Sequence, residues 1–197
     1  AFGNALPTGA ASLAEYVDIR LDGSESLPGS VFTVTSTTTP DDLRRCLEEL
    51  NLRTPPGLSA TAIGVLDGSE KSLQEAVACV RWEIVVSGLT RLELEDRIQR
   101  TLRATVVSVE RERKGNIVTD DIRSNIQSLR MNDDGVLEAE LLTQPRGIRP
   151  MELLRVLDPS LALIRATRTH QWIDGPTGRD EPLMAGEFAV ASRWAAL

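Results

Sequence analysis

The chain has 197 residues, 41% hydrophobic and 26% charged, with a formal net charge of −7. Such a length holds one large domain or two small ones, and the composition is ordinary for a globular protein. No apolar run of about 18 residues is present, so no segment reads as a membrane-spanning helix.

The N-terminus, Ala1-Phe2-Gly3-Asn4, carries no basic region of a signal peptide, and its abrupt apolar start suggests a cut chain. Charge is unevenly spread: residues 1–80 hold 11 acids and 5 bases, whereas residues 81–173 hold 14 acids and 15 bases. An acidic protein is a poor non-specific polyanion binder. A local basic face can still grip a phosphate backbone, because charges beyond about 8–10 Å are screened. Cys46 and Cys79 are too sparse for a disulfide framework or a metal cluster. They read as buried reduced thiols, which places the chain most simply in the cytoplasm.

From the N-terminus, Leu6-Pro7-Thr8-Gly9 reads as a turn, and Glu15–Leu21 alternates as a strand. The Ser-, Thr-, Gly- and Pro-rich stretch from Ser24 to Thr39 encloses a β-prone Val31-Phe32-Thr33-Val34. Thr39-Pro40-Asp41-Asp42 opens a helix to about Leu50, with Leu43, Cys46, Leu47 and Leu50 at helical spacing. Leu58–Leu66 is strand-like, and Ser72–Ala78 reads as a short helix.

Val80–Ser87 is a strand with Trp82, Ile84 and Val86 on one face, and Gly88 turns the chain into a helix over Thr90–Leu102. Thr105–Arg113 is a strand, followed by a short turn or helix carrying Ile122, Ile126 and Leu129. Val136–Leu142, a helix over Met151–Leu157 and a strand over Ala162–Ile173 complete the order. From Asp174 the chain reads as a loosely packed tail in which Phe188, Val190 and Trp194 could dock back.

Residues 80–173 thus read β-α-β-β-α-β, the order of a ferredoxin-like sandwich, and the first part gives β-α-β. The expected fold is α+β with tandem ferredoxin-like units, the first incomplete. Its expected divisions are a partial unit over residues 1–70, a full unit over 71–173 and a tail over 174–197.

The strongest local charge feature is the basic strand and its turn. Arg111 and Arg113 share one strand face, and Lys114 and Arg123 can extend it. Such a face suits a polyanion or single-stranded RNA, although the strand holds no aromatic residue for base stacking. Glu110 and Glu112 interleave and could instead pair with these bases across strands.

His170, the single histidine, reads as a surface residue before a general base, for no Cys or carboxylate accompanies it. Asp120-Asp121 and Asp133-Asp134 lack the spacing of a calcium loop and sit where turns and helix starts favour acids. Trp82 and Trp172 read as core. Gly9 and Gly115 read as turn residues, with no phosphate-loop pattern around them.

Several of these motifs together carry a family likeness. Ala5-Leu6-Pro7-Thr8-Gly9 with Glu15-Tyr16-Val17-Asp18-Ile19-Arg20-Leu21 resembles a motif of the bacterial radical-SAM-linked family of unknown function. So do Val109–Gly115, Asp121-Ile122-Arg123 and Arg165-Ala166-Thr167-Arg168, and the likeness spans residues 5–173. In that family the domain stands alone or at the C-terminus of B12-binding radical SAM enzymes. The resemblance marks Gly9, Glu15, Tyr16 and Asp18 as signature positions. A preceding strand and helix with a Ser-His-Leu-Asp signature, usual in the family, is absent here, and so is the three-cysteine iron–sulfur motif.

The resemblance therefore implies an accessory domain that binds no cofactor itself. S-adenosylmethionine, an iron–sulfur cluster and cobalamin would belong to the associated enzyme, fused or separate. The expected role is to position a macromolecular substrate, RNA or a ribonucleoprotein, through Arg111, Arg113, Lys114 and Arg123. The alternatives are a protein-interaction module and a double ferredoxin-like RNA endonuclease.

Overall fold

A computed structural model describes residues 5–19, 38–65, 71–175, 178–184 and 186–189. In chain order its elements begin with β1 (Ala11–Ser12), α1 (Pro40–Arg53), β2 (Ile63–Gly64), α2 (Leu73–Ala76), β3 (Val77–Ser87) and α3 (Arg91–Arg103). Next come β4 (Ser108–Arg113), β5 (Asn116–Asp121), a 3-10 turn at Arg123–Asn125, β6 (Ile126–Met131) and β7 (Leu137–Leu142). The remainder is α4 (Pro150–Leu157), β8 (Ala162–Gly175), β9 (Gly178–Asp180) and β10 (Phe188–Ala189). The fold is mixed α+β and forms two compact units. One contains the described parts of Tyr16–Ala76 and Ile173–Leu197, the other those of Asn4–Glu15 and Val77–Trp172.

The unit built on Val77–Trp172 contains a sheet ordered β1-β8-β3-β7-β6. Alternation along β3 buries Val80, Trp82 and Ile84, and the paired β7 buries Leu137, Ala139 and Leu141 on the same face. Leu94 and Ile98 of α3, with Leu153, Leu154 and Leu157 of α4, are buried as well. Each large aliphatic side chain so buried contributes about 1.5–3 kcal/mol relative to exposure. Both helices start on local signals. Thr90 caps α3 in a reciprocal box with Glu93, and Pro150 occupies the first turn of α4. Gly88 (φ +114°) precedes α3 where a Cβ would lie 2.5 Å from the Ser160 carbonyl oxygen, so only glycine fits that turn.

In the other unit, α1 starts at Thr39 with the expected hydroxyl cap and Pro40 in the first turn, and buries Leu43, Cys46 and Leu47. The Asn51 amide holds the following segment by bonding both the N–H and the C=O of Ala60. The region read as a loose tail is structured in part. β9 pairs antiparallel with Ile173–Gly175, and Phe188–Ala189 pairs parallel with Ile63–Gly64. The Arg44 guanidinium lies 5.0 Å from the Phe188 ring centre. The Val31–Val34 segment, Val190 and Trp194 lie outside the described residues.

Several sequence expectations are corrected. Thr105–Arg113 does not enter the main sheet; from Ser108 it pairs, among the described residues, with β5 alone as a separate two-stranded ribbon. The second core strand of this unit is instead β6, where a turn or helix was expected around Ile122, Ile126 and Leu129. The cause is a register shift between Ile126 and Ser128: the extra residue lets Ile126 and Leu129 both point inward, which mimics helical spacing. The strand expected over Glu15–Leu21 is reduced, within the described residues, to a single bridge at Val17. There Tyr16 and Asp18 turn inward, while Val17 and Ile19 are exposed. Among the described residues, the strand expected over Leu58–Leu66 pairs only at Ile63–Gly64. β3 begins three residues before Val80, which ends α2 at Ala76.

Candidate interaction site

The ribbon β4–β5 holds most of the residues singled out from charge. Its two-residue turn, Lys114-Gly115, has positive φ at both positions (50° and 80°), as a turn matched to strand twist requires. The register pairs Val109 with Asp120, Glu110 with Thr119, Arg111 with Val118 and Glu112 with Ile117. Ser108, Glu110 and Glu112 therefore share one face with Ile117, Thr119 and Asp121, and all six are exposed. The opposite face turns in Val109 and Arg111.

Arg111 does not form part of an open basic surface. Its side chain is only 5% exposed, with Nη2 donating to Glu152 Oε2 at 3.0 Å and to the Gly147 carbonyl at 3.2 Å. Its Nε lies 2.8 Å from Glu152 Oε1 without directing its N–H there, so that contact is an ion pair rather than a hydrogen bond. Asp120 adds a weaker contact at 3.5 Å. The residue expected to hold phosphate thus fastens the ribbon to α4, because a buried guanidinium requires nearby carboxylates.

Arg123 is similarly engaged: its guanidinium donates to the Leu102 carbonyl at 2.8 Å and the Ile126 carbonyl at 3.3 Å. Lys114 is exposed at the turn, and the Arg113 side chain lies outside what is described. The four cations therefore do not gather into one described surface. The expected cross-strand pairing of Glu110 and Glu112 with bases is also corrected, since Thr119 and Ile117 stand opposite them. Asp121 accepts from the N–H groups of Val107 (2.8 Å) and Arg123 (3.0 Å), bonds that hold its carboxyl below the usual range.

The signature positions serve the fold. Gly9 adopts φ +84° at a turn. Glu15 pairs with Arg168, which is fully buried and places its guanidinium 5.6 Å from the Trp82 ring centre. Beside it, the buried Gln171 amide donates to the Ala14 carbonyl. In the other unit, Tyr16 donates to the Leu183 carbonyl at 3.1 Å, and Asp18 accepts from the Leu73 N–H at 2.8 Å at the start of α2. Burial first, then the charges of Glu181 and Glu187, push the Tyr16 hydroxyl far above its ordinary value, so it stays neutral.

Sequence reading missed the roles of Arg168 and Glu138. Arg168 stands two residues after buried Ala166, and that alternation was the available signal. Glu138 is buried on the sheet face opposite Leu137 and Ala139, and it accepts from Arg81 at 2.8 Å, Asn132 at 3.3 Å and Arg130. Burial raises its pKa, but the bonds from Arg81 and Asn132 and the two guanidinium charges outweigh that and lower it.

His170 is half-buried, stacks on half-buried Trp172 at 5.1 Å between ring centres, and lies 3.0 Å through Nδ1 from the Thr169 hydroxyl. Trp82 is in the core, as expected. Cys46 and Cys79 are buried, and neither forms a disulfide among the described residues. Asp133 and Asp134 are exposed in the β6–β7 turn. Among the described residues no group of three His, Cys, Asp or Glu side chains is placed to hold a metal ion, and no helix is long and apolar enough to cross a membrane.

No curated protein and no solved structure matches the chain. A family model described as "uncharacterized protein conserved in bacteria (DUF2344)" matches residues 1–150, most of the length, and the chain belongs to that family.

Proposed function

We propose that the chain is an accessory, protein-contacting domain that serves a B12-binding radical SAM enzyme in the bacterial cytoplasm. The single observation that carries the contact is the ribbon: Arg111 is held internally by Glu152 while Glu110, Glu112 and Ile117 face outward. A surface with three carboxylates and an exposed isoleucine suits a protein better than a nucleic acid backbone. The tie to a radical SAM enzyme rests on the signature residues Gly9, Glu15, Tyr16 and Asp18 and on the Arg165–Arg168 motif. Two buried thiols favour the reducing compartment.

The Val77–Trp172 unit is proposed as ferredoxin-like. The order β8-β3-β7-β6 places the fourth, first, third and second strands of a β-α-β-β-α-β unit side by side, with the ribbon inserted before the second strand. The other unit, with α1 and the β2–β10 pair, is proposed as a partial copy.

The test is affinity capture by the tagged chain from a bacterial lysate, followed by mass spectrometry, cobalamin and iron assays, and RNA quantification. The expected result is retention of a cobalamin-containing iron–sulfur enzyme with RNA at background. Retained RNA that declines steeply with salt and is lost in Lys114→Glu would overturn this reading in favour of substrate RNA contact.

A further inference from the structure

The ribbon has a free edge. Around a two-residue turn, the flanking pair Arg113 and Asn116 is hydrogen-bonded, and bonded and non-bonded pairs then alternate outward. The bond from Ile122 N–H to the Val107 carbonyl, 2.8 Å, continues the same phase below the last ladder pair. Val107, Val109, Arg111 and Arg113 therefore direct their main-chain groups toward β5. Ser108, Glu110 and Glu112 direct theirs away from it.

Among the described residues those outward N–H and C=O groups meet no other strand, because β4 pairs there with β5 alone. The same three residues carry the exposed side chains, and Glu110 and Glu112 form no ion pair among the described residues. Across the ladder they face Thr119 and Ile117, so no cation neutralises them from β5. Two-stranded sheets are marginal by themselves, and a third strand stabilises them.

Resting on the protein-contacting reading above, we infer that β4 is a strand-addition site for a segment of the partner protein with Lys or Arg at alternate positions. Such a segment would complete the main-chain hydrogen bonds of Ser108, Glu110 and Glu112 and place its cations beside the two glutamates. The charges also set selectivity. A second copy of β4 would bring like charges into direct opposition, which disfavours edge-to-edge association of the chain with itself.

The test uses the full chain and the synthetic peptide acetyl-Thr-Lys-Val-Lys-Val-Lys-Thr-amide. Amide exchange at Ser108, Glu110 and Glu112 is expected to slow at least tenfold on saturation. Binding is expected to weaken at least tenfold when the peptide is N-methylated at alternate amides, and at least tenfold in Glu110→Lys/Glu112→Lys. The charge-matched Asp133→Lys/Asp134→Lys control, in the β6–β7 turn, is expected to stay within twofold.

Equal losses in the two charge variants, indifference to N-methylation, or no binding at millimolar peptide would each overturn the proposal. Affinity capture with Glu110→Lys/Glu112→Lys separates the two readings. If the enzyme is still retained in full by this variant, the accessory role stands and the β4 edge is not the contact.

Discussion

Replacing Arg111 by methionine separates a structural cation from a ligand-binding one. The substitution keeps much of the aliphatic stem but removes the guanidinium that meets Glu152 at 2.8 and 3.0 Å and the Gly147 carbonyl at 3.2 Å. Removing one partner of a fully buried ion pair costs about 3–5 kcal/mol. Here Glu152 and Asp120 keep 20% and 24% of their side-chain exposure, and the Arg149 N–H still donates to Glu152 at 2.8 Å. Solvent and that remaining bond offset part of the loss, so the expected cost is about 2–3 kcal/mol.

For a chain of this size each kcal/mol lowers Tm by about 2–4 °C, giving a fall of about 4–12 °C. Urea unfolding followed by circular dichroism measures the cost. A double-mutant cycle with Glu152→Gln is expected to return a coupling of about 1–3 kcal/mol. If Arg111 were instead a ligand-binding cation maintained at the expense of stability, Arg111→Met would leave the midpoint unchanged or raise it. A change below about 0.5 kcal/mol, within the range of an ordinary surface substitution, would refute the anchoring role.

Three further outcomes are expected. Because folding raises the Tyr16 pKa, its contribution to stability is complete below about pH 10 and declines as pH rises beyond that. Tyr16→Phe is expected to remove this alkaline dependence and to cost about 0.5–1.5 kcal/mol near neutrality, as read by unfolding across a pH series. Glu138 has the opposite sign: its lowered pKa gives stability that is present above its unfolded value and lost as pH falls through the folded one. Glu138→Gln is expected to flatten the acid limb of the same series, and an unchanged limb would remove Glu138 from the account. Gly88→Ala must relieve a 2.5 Å approach to the Ser160 carbonyl at a positive φ, with an expected cost of at least about 2 kcal/mol in thermal unfolding.

The sequence by itself determined the features that local chemistry encodes. Thr39-Pro40-Asp41-Asp42 announced α1, because a capping side chain satisfies N–H groups only a few residues away. Alternation through Trp82 and Ile84 announced β3 and its buried face.

Tertiary structure decided which strand joins which sheet. The bulge at Ile126–Ser128 gave β6 an apolar spacing of three, so its strand character appears only with β7 beside it. It also decided the meaning of charge. Composition marks Arg111 and Arg113 as a basic face, but Glu152, 41 positions away, draws Arg111 inward and leaves Glu110 and Glu112 outside. Likewise Glu15 meets Arg168 across 153 positions. Such partners are brought together by packing the chain on itself, and no local rule of spacing carries that information.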